Sequence, residues 1–380
     1  MTDEPEKLFD ASPQHPGEHL RELLAQRGWT QEELAAITGR SRQQIIDIVT
    51  RRRGITPEMA VALASAFNHT PSYWLAIDSA YRLSTVNEPR DAIMERARLF
   101  ELAPIKDMQK RGWLPSAASL DELPAHLKNF FEVERLDEPI GFPLVTRKTA
   151  PLADLTAAQR AWCFRARQLA KGLPTSHAFD DSRLDAAKNK LRKLAAYRNE
   201  AVHAAEVLSD FGIRFLVVEP LPGAKIDGAA FWLEDGPAIA VSIRYDRHDY
   251  FWFTLMHEFM HIVYRDPLSI DSDLGRDDHT PTLLKDEIER RADESAADSL
   301  VPRDELVSFI QRMGTLYSQN KIVQFAHSVK MHPGIIVGQL QNRGEIGWGS
   351  QRELLVKIRD IVTETAITDG WGQTIGSDAA

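Results

Sequence analysis

The chain has 380 residues, of which 43% are apolar and 27% charged, with a formal net charge of −9. That length accommodates two or three domains with separate cores, and the balance is that of a globular protein. Apolar runs such as Pro237–Val241 are far too short to span a bilayer, so no membrane association is expected, and the negative charge excludes wholesale coating of nucleic acid. One cysteine, Cys163, excludes an internal disulfide and a thiolate metal cluster, leaving His, Asp and Glu as metal ligands and pointing to a reducing, cytoplasmic setting.

Residues 1–14 are acidic and polar, with neither a basic segment nor an apolar one, and read as a disordered leader rather than a signal peptide. Residues 15–87 follow as five short helices. Leu20, Leu23 and Leu24 form the first apolar stripe, which stops at Gly28; Thr30 and Glu33 make a capping box for the second helix, which stops at Gly39. Ser41 caps the third helix, and Thr56-Pro57 and Thr70-Pro71 open the fourth and fifth. Helix, glycine turn, helix is the DNA-reading pattern, in which the second helix presents its N-terminal side chains to the major groove. Gln31, Ser41, Arg42, Gln43 and Gln44 are the candidates for DNA contact there, and Arg51, Arg52 and Arg53 just beyond can meet phosphates. Eight arginines (21, 27, 40, 42, 51, 52, 53, 82) face seven carboxylates (18, 22, 32, 33, 47, 58, 78), so the segment is nearly neutral with its positive charge focused at one end. Weak non-specific attraction of that kind points to binding as a homodimer or with the help of a partner.

Residues 88–205 read as a helical connecting region, with helices at 92–102, 159–169 and 184–208 and proline-rich links between. Beyond Gly212 the texture changes. Strands are expected at 214–218, 229–233 and 238–243, then long helices near 250–264 and 285–300, and shorter ones within 321–342 and 352–363. Residues 206–348 thus form an α+β domain with a small sheet, and 349–380 a last helix and a loose Gly- and Asp-rich tail; the chain as a whole is α+β and mostly helical.

The chemistry concentrates in His257-Glu258-Phe259-Met260-His261, inside an apolar helical stretch. Four residues make one turn, so both imidazoles leave one face about 6 Å apart, a spacing that suits two ligands of one tetrahedral ion. Glu258 is offset from the pair and can serve as general base toward an attacking water. Glu289, on the next helix, can supply the third ligand, and it is preferred over Glu287 because Asp293, one turn further on, can hold the distal N–H of a ligand histidine. Ala292, Ser295, Ala296 and Ala297 allow that helix to approach closely. Zinc (Zn2+) is the expected cofactor; two histidines and a glutamate also accept manganese (Mn2+) or iron. Tyr264, His279, His327 and His332 are open candidates for steadying an oxyanion, with packing or capping the simpler role for each. The stretch Lys225–Phe231 offers either a plain sheet strand or an edge for extended substrate.

Phe253–His261 followed by Glu289–Ala297 and Val301-Pro302 resembles the ImmA/IrrE family of metallo-endopeptidases over about residues 205–345. The resemblance implies a zincin-like minimal metallopeptidase core, with His257, His261 and Glu289 as ligands and Glu258 as general base. The chain departs from that family at Ser295, where phenylalanine is commoner, and in the bulk of Phe259-Met260. Trp29–Gly39, Ser41–Ile46, Thr56–Ala60 and Ser72–Leu75 are similar to the antitoxin branch of the XRE-type (Cro-like) helix-turn-helix family, HigA-like antitoxins included. Together these imply a cytoplasmic regulator that binds double-stranded DNA and cleaves a specific protein of the repressor or antitoxin kind in a toxin–antitoxin setting. The alternative is an antitoxin-like repressor whose metallopeptidase-like domain serves as a non-proteolytic sensor or dimerisation body.

Overall fold

The computed structural model describes residues 13–85, 90–116, 119–138, 140–143, 149–150, 155–266, 268–272, 287–314, 316–370 and 373–375. The chain divides into two units, Met1–Ile93 and Met94–Ala380. The expected leader lies outside the described residues except for its last two.

Local capping shapes the first unit. It consists of α1 (Pro16–Arg27), α2 (Gln31–Thr38), α3 (Arg42–Val49), α4 (Pro57–Phe67) and α5 (Pro71–Thr85). The side chains of His15, Thr30, Ser41 and Thr56 each accept from a first-turn amide, satisfying donors that helical bonding leaves over. Gly39 ends α2 in the left-handed region (φ 65°), a conformation that costs glycine nothing and turns the chain into α3. Leu20, Leu34, Ile45, Leu63 and Trp74 fill the centre. Asp78, nearly buried on α5, accepts from Ile55 N (3.1 Å) and Arg82 Nε (2.7 Å), tying the loop after α3 to the last helix.

The second unit begins with α6 (Arg90–Leu102), which starts just before the division, α7 (Ile105–Lys110), α8 (Leu123–Phe131), the short strands β1 (Phe142–Pro143) and β2 (Thr149–Ala150), and α9 (Ala157–Lys171). Then come α10 (Leu184–Leu194), α11 (Ala204–Asp210), β3 (Arg214–Val218), β4 (Ile226–Leu233), β5 (Gly236–Val241), α12 (His248–Val263), β6 (Leu268–Ser272) and α13 (Glu287–Leu300). The chain continues through α14 (Arg303–Met313), α15 (Gln319–Ser328), α16 (Pro333–Asn342), α17 (Arg359–Thr365), β7 (Ile367–Gly370) and β8 (Gln373–Ile375). Six strands form one sheet in the order β6-β4-β5-β3-β7-β8, with β3 parallel to both its neighbours and the other pairs antiparallel.

Strand side chains alternate between faces, and here both faces are covered. Phe215, Val217, Ala230, Ile239 and Val241 pack with α10–α17, including Trp252, Leu255 and Phe259 of α12. Leu216, Val218, Ala229, Phe231, Ala238 and Ala240 pack with Leu99, Met108, Phe131, Trp162 and Phe164 from α6–α9. Residues 88–205, expected to connect, therefore largely supply the cover for the second sheet face. Trp162 Nε1 donates to Val218 O at 2.9 Å, fixing α9 on β3. Each large side chain buried in this way contributes about 1.5–3 kcal/mol.

Of the two readings of Lys225–Phe231 the plain sheet strand holds, and the reading of the tail is corrected. β4 is paired on both sides, by β5 and β6, so it is an interior strand and not a substrate-accepting edge. The tail after Thr365 is not loose where it is described: β7 pairs with β3 (Leu216 with Ile367, Val218 with Asp369). Its glycine and aspartate suggested a solvated segment, but Asp369 is fully buried against the Arg165 guanidinium of α9, and its carbonyl accepts from Arg111 Nη2 at 2.5 Å. No helix among the described residues is long and apolar enough to cross a membrane.

At the start of α12, His248 is fully buried, with Nε2 donating to Ala195 O at 2.9 Å and its ring 4.4 Å from that of His332. Burial, and then the neighbouring His332, push its pKa from 6.5 down to about 3. The folded chain thus keeps it neutral while the unfolded chain takes up a proton, so stability is lost as pH falls from 6.5 toward about 3. His332, lowered by burial in turn, adds to the same trend. The urea midpoint of the metal-free protein should fall between about pH 7 and pH 5, before carboxylates protonate; a flat midpoint there would refute this account.

Candidate metal centre and candidate nucleic-acid interface

α12 lies against β4 and β5 with nearly every side chain from Phe251 to Ile262 buried, which leaves the rotamers of His257, Glu258 and His261 little freedom. α13 runs beside it, and the fully buried Ala292 and Ala296 remove the bulk that would hold the two helices apart. Tyr264 Oη and Ser295 Oγ, 2.6 Å apart, pin the same pair of helices. Ser295, a departure from the ImmA/IrrE pattern, thus has a partner.

Three donor atoms meet where the helices face each other. His257 Nε2 and His261 Nε2 are 2.9 Å apart, and Glu289 Oε2 is 3.2 Å from the first and 3.6 Å from the second. Ligand atoms at ~2.0–2.1 Å from a tetrahedral zinc stand about 3.3 Å from one another, so the three positions suit one ion. The far sides of the rings strengthen the case. Asp293 Oδ1 is 3.0 Å from His257 Nδ1, and Asp266 Oδ2 is 2.9 Å from His261 Nδ1. The hydrogen bond from His261 Nδ1 to Asp266 places the proton there and leaves Nε2 as a lone pair, and the Asp293 carboxylate near His257 Nδ1 favours the same tautomer of the other ring. Two lone pairs and a carboxylate aimed into one small volume repel each other unless a cation joins them. Zinc fits this donor set. Glu287, at the exposed start of α13, faces Arg290 and is not part of the cluster.

Glu258 is fully buried, and its carboxylate lies against β4 at Gly228. A methyl group at Gly228 would come 2.5 Å from Glu258 Oε1 and 2.9 Å from its Cγ, so only glycine leaves room for the side chain. The pairing of β4 with β6 shifts register between Ile226 and Gly228, where the strand makes this close approach. Gly228 was missed as a site residue; an isolated glycine inside a strand pattern was the available signal. Asp266 was missed as well. Of the oxyanion candidates, Tyr264 is bonded to Ser295, His332 Nδ1 caps α16 by accepting from Gly334 N at 3.0 Å, His327 is exposed on α15, and His279 lies outside the described residues.

In the first unit, Ser41 Oγ accepts from Gln44 N (3.3 Å) and Gln44 Oε1 accepts from Ser41 N (3.2 Å), so both are engaged in a capping box at the start of α3. Gln43 Nε2 donates to Asp47 at 2.8 Å, and Arg51 is paired with Glu18. Arg42 sits exposed in the first turn of α3, and Arg52 and Arg53 are exposed just after it; Gln31 opens α2 half-buried.

Comparison with known families adds two matches: a helix-turn-helix model over residues 20–75 and a peptidase family described as an IrrE N-terminal-like domain over residues 209–336. The chain joins a helix-turn-helix domain to an IrrE N-terminal-like domain. Among curated proteins, virulence-associated protein A of Dichelobacter nodosus is 38% identical over 78 residues, which are 20% of this chain and 76% of that protein. Virulence-associated protein I of the same organism is 35% identical over 80 residues, 21% of this chain and 74% of that one. Similar solved structures include antitoxin GraA (33% identity, 20% of this chain and 82% of that chain, TM-score 0.19) and the Pseudomonas aeruginosa antitoxin HigA with higBA promoter (36% identity, 19% and 80%, TM-score 0.19). The IrrE N-terminal-like match spans α12, α13 and the three convergent donors.

Gly228→Ala should displace the Glu258 side chain while leaving the three donor atoms in place. The expected outcome is zinc content near that of the unaltered protein, with stability reduced by about 1–3 kcal/mol from overpacking. Metal analysis together with urea denaturation checks this; unchanged stability would show that β4 yields and that Gly228 does not fix Glu258.

Proposed function

We propose that this protein is a cytoplasmic DNA-binding transcriptional regulator with zinc-dependent endopeptidase activity toward a specific protein of the repressor or antitoxin type. The observation that carries the reading is the convergence of His257 Nε2, His261 Nε2 and Glu289 Oε2, each imidazole backed by a carboxylate, beside a buried Glu258. When bound, zinc acidifies water and polarises a carbonyl. His257, His261 and Glu289 would hold it, with Asp293 keeping His257 in the required tautomer. Glu258 would accept the proton of the attacking water and deliver it to the departing amine, a role worth about 10²–10⁴-fold in rate. Its closed surroundings keep the carboxylate from being diluted by bulk water.

For the helix-turn-helix domain, Arg42 in the first turn of α3 would read base edges and Arg52 and Arg53 would meet phosphates, while Ser41 and Gln44 set the start of the reading helix. A homodimer would present two such helices about 34 Å apart, one helical turn of DNA.

Glu258→Gln should retain zinc and operator binding yet lower cleavage of a co-encoded repressor or antitoxin by about 10²-fold or more. Undiminished cleavage would overturn the mechanism, and metal retention without cleavage of any co-encoded protein by the unaltered chain would favour the non-proteolytic alternative. Arg42→Ala should weaken specific binding by about 1–3 kcal/mol and relax sequence preference, whereas Arg53→Ala should weaken all sequences alike and reduce the salt slope by about 1. Equal effects of both on every sequence would remove Arg42 from base reading.

A further inference from the structure

The histidine nearer the end of α12 is backed by a side chain that reaches it through a strained turn. Helix α12 closes at Tyr264, and Arg265 then takes the left-handed region at φ 59°. That conformation is unfavourable for a side chain other than glycine, and it persists only where the surroundings fix it. Here it folds the chain back beneath the helix. Asp266 N donates to His261 O at 2.9 Å, and Asp266 O accepts from Trp232 Nε1 of β4 at 2.9 Å. The nearly buried side chain then has Oδ2 2.9 Å from His261 Nδ1 and Oδ1 3.1 Å from Arg291 Nη2. Arg291 stands two residues after Glu289 on α13, and its guanidinium lies 3.9 Å over the Tyr264 ring. Both backbone groups and both side-chain oxygens of Asp266 are therefore placed. The result is one carboxylate aimed at one imidazole nitrogen.

We propose that Asp266 is a positioning residue of the metal centre. It fixes His261 as the Nδ1–H tautomer with its Nε2 lone pair directed at the ion, and Arg291 steadies it from the helix that carries Glu289. This rests on the metal reading above. Asp293 serves His257 from the ligand helix itself, whereas Asp266 serves His261 from the turn after α12, so both rings are oriented and each by a different element. A carboxylate at Nδ1 also makes the opposite nitrogen a better electron-pair donor.

The test is zinc affinity of the full chain, measured by competition with a chromogenic chelator, beside the thermal midpoint of the metal-free protein. Asp266→Asn, which keeps an acceptor but removes the charge, should weaken zinc about 10-fold, and Asp266→Ala about 100-fold. Arg291→Met should weaken it in the same direction by less than Asp266→Asn, since Arg291 is partly exposed and acts only through the carboxylate. The metal-free midpoint of Asp266→Asn should stay close to that of the unaltered protein. If Asp266→Asn folds and binds zinc within about twofold of the unaltered chain, the assignment is wrong and Asp266 serves only to end the helix. If the unaltered chain itself binds no zinc, the metal reading fails first and this assignment falls with it.

Discussion

Two imidazole lone pairs and a carboxylate share one small volume between α12 and α13, and much of the second unit exists to keep them there. Without a cation this arrangement is repulsive, and the ordinary escapes are closed. The rings cannot turn their protons inward without giving up Asp293 and Asp266, and they cannot swing away because the helix that carries them is buried along most of its length. Alanines on α13 bring the acidic side chain within reach, and the Tyr264–Ser295 bond holds the helices at that spacing. An arrangement of this kind would store affinity for a cation during folding, as electrostatic repulsion that an ion relieves.

The two units draw stability from different sources. In the helix-turn-helix domain the helices are short and their termini are satisfied by neighbours a few residues away, so sequence-local polar groups do much of the shaping. The IrrE N-terminal-like domain depends on a sheet buried on both faces, one covered by α12 and its companions and the other by α6–α9. The same division separates the chemistry. Exposed arginines on a small domain suit a polyanion, while a buried carboxylate such as Glu258 needs the dry, low-dielectric interior that the larger layered unit provides.

Much of this was legible in the residues. Capping boxes, stopping glycines and Pro at first helical positions marked all five helices of the first unit, and β3 was read to the residue because Arg214–Val218 is flanked by turn signals. The His-Glu-x-x-His turn and the Glu289–Asp293 pair lie at helical spacing, so their geometry follows from the period of an α-helix. What escaped was non-local. Helices α7, α8 and α14 and strands β6–β8 are short or polar enough that only their tertiary partners explain them. Gly228 matters because a glutamate from another element approaches it, and Asp266 matters because Arg265 adopts a backbone conformation that its residue type disfavours. The connecting region showed apolar residues without a single clean period, since several brief helices share the task of covering one sheet face. The tail was misjudged because the burial of Asp369 depends on Arg165, far earlier in the chain.

That last pairing bears on how the chain is made. β3 sits between β5, which follows it closely, and β7, which is among the last described segments. During synthesis the small helical head has all its partners at hand and can close at once, whereas the larger body keeps one side of β3 open until Ile367–Gly370 leaves the ribosome. A nascent chain would therefore carry a finished helix-turn-helix domain attached to an IrrE N-terminal-like domain whose sheet is still incomplete. Completion of the sheet by this strand would then act as a timer, since β3 gains its second neighbour only once residues 367–370 have emerged.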